Sequence, residues 1–319
     1  MSIDKRAEMM KALRGDKTER LLCSVWRHLP EEKRKGEYVI EDQIRYYRET
    51  DVDFLKIMSD GYFPYPLERI PETASEWYQL KPLNDDHPYF VEQLERAERI
   101  VKEIGTECMT FYNVFAPFSA LRFAATDERI MHDIKENKEA VLHALDVIAH
   151  DHGKLAERVI TEAGCDGIYF CVQGGEKKRF SHEEYMRLIS ASDLKVLMYA
   201  NQFSKWNLLH CCGYDGFKNN LENWKDYPCC AVNWSVHVEN TDLKEGKKYF
   251  GNKPVIGGFL NTKESMLYQG CDKDIEDLGK QMIAKYNKIP GIILGADCSL
   301  PWDIDISKIA KLMHVLHRS

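Results

Sequence analysis

The chain has 319 residues, 44% hydrophobic and 30% charged, with 51 acidic and 44 basic side chains giving a net charge of −7. This is the composition of a globular protein with a large core, and its acidic balance argues against nucleic acid or an anionic membrane as partner. No run approaches the roughly 20 apolar residues needed to cross a bilayer.

The opening Met1-Ser2-Ile3-Asp4-Lys5-Arg6 starts a charged amphipathic helix over 4–14 and not a signal peptide. Ten cysteines without an export signal imply a reducing cytoplasm, with thiols free or metal-bound. What recurs along the chain is a short apolar run followed by a helical segment. Strands are expected at 21–26 and 52–58, with a helix near 38–50 between them. An aromatic, proline-rich excursion from Tyr62 to Pro88 follows, too long for a mere connection. A helix near 89–104 leads to a strand at 109–115, and 127–163 reads as two helices running into a strand at 167–172. Ser181-x-x-Glu184 is a capping box opening the next helix, and a fifth strand spans 207–212. Further strands are expected at 231–234, 254–259 and 291–296, with helices near 214–226, 241–250, 262–287 and 303–317. Eight strands alternating with helices predict a parallel sheet, and eight units in this length predict one (β/α)₈ TIM-barrel domain over 1–319.

In that fold the C-terminal strand ends carry function. His210 and Cys212, in Leu208-Leu209-His210-Cys211-Cys212-Gly213, lie two residues apart and share one face of a strand, while Cys211 points away. An imidazole and a thiol so placed form half of a zinc site. Cys298, in Gly295-Ala296-Asp297-Cys298-Ser299-Leu300-Pro301, ends a second apolar strand and is the expected third ligand. Three protein ligands leave one position open, which marks a catalytic metal; His237, Glu239 and Asp297 are the nearby groups for a fourth. Strand alternation should turn Asp297 away from Cys298, toward a role such as orienting His210. Asp60 and His28 also fall at strand ends and are the candidate catalytic residues, as do Pro117, Gln173 and Ser235. Trp26, Tyr62, Phe63, Tyr65, Tyr112, Phe115 and Trp234 are core or pocket-wall aromatics. The remaining cysteines, Cys171 among them, read as packing residues.

The His-x-Cys-Gly stretch, the closing Ala296-Asp297-Cys298 run and the barrel pattern resemble the uroporphyrinogen decarboxylase superfamily. Within it they resemble the zinc-dependent, corrinoid-linked methyltransferases, such as the coenzyme M methyltransferases. The resemblance implies Zn²⁺ on His210, Cys212 and Cys298, a corrinoid on a partner carrier protein, and a small methyl donor or acceptor as substrate. Phe54 to Asp60 resembles the strand carrying the decarboxylases' catalytic aspartate, so a cofactor-free decarboxylase is the alternative. The arginine-rich N-terminal signature of those decarboxylases is absent: only Arg27, Arg34 and Lys35 stand in that stretch.

Overall fold

The computed structural model describes residues 3–213 and 216–318. Among them seven parallel strands form one sheet in sequence order: β1 (Phe54–Ile57), β2 (Met109–Phe115), β3 (Gly167–Val172), β4 (Leu208–Cys211), β5 (Ala231–Trp234), β6 (Val255–Phe259) and β7 (Ile292–Ala296). The helices are α1 (Lys5–Leu13), α2 (Glu37–Thr50), α3 (Pro88–Ile104), α4 (Pro117–Ala125), α5 (Asp127–Thr161), α6 (His182–Leu188), α7 (Ser190–Ala200), α8 (Val236–Glu239), α9 (Leu243–Tyr249), α10 (Met266–Gln269), α11 (Asp272–Tyr286) and α12 (Ile306–Leu316).

The strand expected at 21–26 does not form a ladder. It makes single parallel bridges, Cys23 to Leu294 and Arg27 to Leu300. On the β7 side Leu294 N donates to Leu22 O and Ser24 N to Leu294 O. On the β1 side Asp53 N donates to Cys23 O, while Cys23 N is taken by the Asp53 carboxylate at 2.8 Å. A side chain thus occupies the donor that a continuing ladder would need. The segment from Leu21 to His28 therefore lies between β7 and β1, bonded to both, as an irregular eighth element.

Period-two alternation sorts the strand residues between two packed layers. Phe54, Met109, Phe111, Tyr169, Cys171, Leu208, Ala231, Ile256 and Ile293 form an inner cluster with Leu22 and Trp26, and Met9, Ala12 and Leu13 of α1 join it. The alternate residues, such as Leu55, Ile57, Ile168, Phe170, Leu209 and Val232, pack outward with the helices. Helix α5 carries the expected break at Asn137, whose φ and ψ are −154° and 80°.

Two expected helices differ and one helix is additional. Segment 262–287 is two helices, because Gly270 leaves the helical region and the Asp274 carboxylate caps Cys271 N. Helix α4, not expected, starts at Pro117, whose fixed φ suits a first helical position. Of 214–226, Tyr214 and Asp215 lie outside the described residues, and the rest holds only a short 3₁₀ turn, Leu221–Trp224. Asn219 pins that loop by donating to Cys212 O and to Glu239. Among the described residues, no helix is long and apolar enough to cross a membrane.

Candidate metal centre

The strand registers set a row across the inner face: Phe115 opposite Cys171, Cys171 opposite His210, His210 opposite Asn233 and Asn233 opposite Ile256. His210 stands on β4 one residue before its end. Cys212 follows the strand, and Cys298 sits in a bend two residues past β7. One ligating atom from each of the three lies within 4.8 Å of the others. The sulfurs of Cys212 and Cys298 are 3.9 Å apart. That is far too long for a disulfide and close to the about 3.8 Å that two thiolates adopt on one tetrahedral zinc.

The imidazole is prepared for the same role. Its Nδ1 meets Asn233 Oδ1 at 2.5 Å. Asn233 Nδ2 donates to Ile256 O and Ala296 O at 2.9 and 3.1 Å, which fixes the amide so that its oxygen faces His210. Nδ1 therefore carries the hydrogen, and the Nε2 lone pair is left free. That Nε2 is buried with no hydrogen-bond partner, a costly state for a polar atom unless something else meets it. The donor set of one neutral imidazole and two thiols suits zinc.

Cys298, the partly exposed thiol of the pair, is held well below the usual thiol range. The hydrogen bond from Cys212 is the main cause, with Lys56 adding to it against burial. The Cys212 thiol is correspondingly pushed up, chiefly by the same shared proton and by burial. Gln173 Nε2 also reaches Cys212 Sγ at 3.4 Å, and Arg122 holds Gln173 Oε1. Gly213 is required next to Cys212: a Cβ there would lie 2.7 Å from Ser235 Cβ.

The three fourth-ligand candidates hold other partners, although Asp297 Oδ1 is itself buried without one. Asp297 accepts from His237 N and meets His237 Nδ1, both at 2.9 Å, and takes Ser235 Oγ at 3.3 Å. Glu239 holds Asn219. Asp297 does not orient His210; Asn233 does. Asp297 instead serves His237 and Ser235, while Cys298 meets Cys212.

Asp60 is fully buried. Its oxygens meet His28 Nδ1 at 2.9 Å and Leu29 N at 2.7 Å, and Arg96 binds its backbone carbonyl. His28 is about one-third exposed and packs edge-on against Phe63, 5.7 Å between centroids. Phe63, Phe115 and Phe123, all half-buried, meet edge-on or tilted with ring centroids 4.8–6.0 Å apart. Of the other expected pocket aromatics, Tyr62, Tyr65, Tyr112 and Trp234 belong to the outer core and Trp26 to the inner one.

Sequence reading missed Lys56. It stands on β1, 3% exposed, with Nζ 3.7 Å from Cys171 Sγ and over the rings of Trp26 and Tyr169 at 4.8 and 4.4 Å. Cys171 is not a plain packing residue. It donates to Asn113 Oδ1 at 2.9 Å, and burial pushes its thiol up to about 11 although Lys56 opposes this. The available signal was a lone lysine inside the apolar run Phe54-Leu55-Lys56-Ile57-Met58.

Fold and site together describe a parallel α/β protein with a His-Cys-Cys cluster at the C-terminal edge of its sheet. The chain belongs to the uroporphyrinogen decarboxylase (URO-D) family, whose profile matches residues 55–319. No curated protein sequence matches it. Among solved structures it is similar to a methyltransferase from Methanosarcina mazei, with 14% identity, 99% of both chains covered and a TM-score of 0.73. It also resembles a vitamin-B12-independent methionine synthase, described as putative, from Listeria monocytogenes (9% identity, 88% and 85% covered, TM-score 0.51). An endo-glycoceramidase II from Rhodococcus sp. matches as well (9%, 93% and 79%, 0.52). At these identities the likeness is one of fold, and the glycosidase shows how little chemistry it carries.

Proposed function

We propose that the chain is a methyltransferase that binds one Zn²⁺ through His210, Cys212 and Cys298 and moves a methyl group between a corrinoid on a partner carrier protein and a small thiol or methoxy substrate. We read the sheet, joined through residues 22–28, as the expected (β/α)₈ barrel in one domain over 1–319. The observation that carries the reading is that His210, whose buried Nε2 has no hydrogen-bond partner, brings a ligating atom within 4.8 Å of two thiols that are themselves 3.9 Å apart. When bound, the ion would supply Lewis acidity, lowering the pKa of a substrate thiol or polarising a methoxy oxygen.

This chain's residues do the rest. Asn233 holds the His210 tautomer. Gln173, braced by Arg122, holds the orientation of Cys212. His28, oriented by Asp60, contacts substrate from the rim, and Phe63, Phe115 and Phe123 give it an apolar wall. The decarboxylase alternative has less behind it. A polycarboxylate needs several convergent cations, yet Arg27 pairs with Asp42, Arg34 binds Leu29 O and Lys35 faces Glu92.

Metal analysis tests the proposal. About one zinc per chain, lost in a His210→Ala, Cys212→Ser double variant, is the expected outcome. Protein that never binds zinc, or that decarboxylates a porphyrinogen without metal, overturns it.

A further inference from the structure

Three buried polar groups near the cluster lack an acceptor. The ammonium of Lys56 has a thiol sulfur as its polar neighbour and, among the described residues, no carboxylate partner. The rings it lies over, Trp26 and Tyr169, are themselves 5.1 Å apart, and Tyr169 lies 6.1 Å from the His210 ring. Trp26 Nε1 and Tyr169 Oη are both buried and unpartnered. A buried ammonium is costly, and two aromatic faces offset only part of that cost. The anion that Lys56 favours here is the Cys298 thiolate, and a bound dication would take up that charge. Cys171 does not supply another, because it donates its proton to Asn113.

Charge balance says where a further anion belongs. A dication with two thiolates and a neutral imidazole sums to zero, so the metal centre by itself leaves Lys56 uncompensated. One further negative ligand at the open position would balance it. A methyl ether is neutral and would not.

Resting on the methyl-transfer reading, we propose that Lys56 is the charge-compensating residue of the site, and that it makes the substrate a thiol acceptor held as its thiolate and not a methyl ether. The thiol R–SH gives its proton to the buffer on binding. Its sulfur electron pair then forms the S–CH₃ bond while the bond from methyl to its carrier breaks, and that pair leaves with the carrier. Lys56 touches no reacting atom; it acts through the field it places on the bound sulfur.

The test compares 2-mercaptoethanol with 2-methoxyethanol, of similar size, by calorimetry on the zinc-loaded protein in two buffers of different ionisation enthalpy. In the native chain, thiol binding should release about one proton and the ether none. Lys56→Met should keep one zinc per chain, weaken thiol binding at least about tenfold at neutral pH and leave ether binding unchanged, the low end of what an opposite charge does to an ionising group. Lys56→Arg should restore the thiol preference. Equal losses for both ligands, or none, overturn the role of Lys56. Release of well under half a proton by the native chain overturns it without any variant. A native chain that binds no zinc instead fails the methyl-transfer reading itself.

Discussion

The two ends of the strands are built on opposite principles. At the N-terminal end α1 closes the inner layer with Met9, Ala12 and Leu13, and the charges there are paired. Arg20 with Asp53, Arg6 with Asp166 and Lys5 with Asp51 all lie at 2.5 Å. At the C-terminal end the buried groups are left wanting: His210 Nε2, Trp26 Nε1 and Tyr169 Oη have no partner. The contrast is one of charge: the N-terminal end pairs its ions, while the C-terminal end leaves polar atoms around the candidate cluster without partners, the division expected of strands whose C-terminal edge carries the chemistry.

The largest expected effect breaks the paired end. Arg20→Met leaves the Asp53 carboxylate buried with its hydrogen bond from Cys23 N but without its guanidinium. It should cost about 3–5 kcal/mol of stability in denaturant titrations and leave zinc stoichiometry unchanged. Asn233→Ala strikes the other end. Freed from Asn233, the imidazole loses its fixed tautomer, and zinc affinity measured against a chelator should fall about 10–100-fold. The smallest effect sharpens the comparison by pH. His317 faces Asp51 at 3.1 Å and Asp53 at 3.5 Å, and these carboxylates raise its pKa above 6.5 although burial opposes them. A group raised on folding adds stability that is complete below its unfolded pKa and fades as pH climbs through the folded one. The denaturation midpoint should therefore drop on going from pH 6 to above neutrality, and His317→Gln should flatten that slope.

Much of this was legible in the residues themselves. Strand periodicity located all seven strands, and the His-x-Cys spacing singled out two residues that the fold brings together with Cys298. What local pattern could not give was anything decided by a distant partner. Segment 21–26 is apolar enough for a strand, yet the Asp53 side chain takes Cys23 N and stops the ladder. Asn233 matters to His210 only through the register of β4 against β5. Lys56 looks like a solvated charge until β1 is seen buried on both faces.

One feature of the backbone links the chain's beginning to its chemistry. Cys298 lies between two cross-chain bridges, Leu294 to Cys23 and Leu300 to Arg27. The bend that presents this sulfur is buckled down on either side by residues from the start of the chain, Cys23 and Arg27. The segment from Cys23 to Arg27 thus fastens a candidate ligand near the opposite terminus, so the start of the chain bears on the site as well as on the fold.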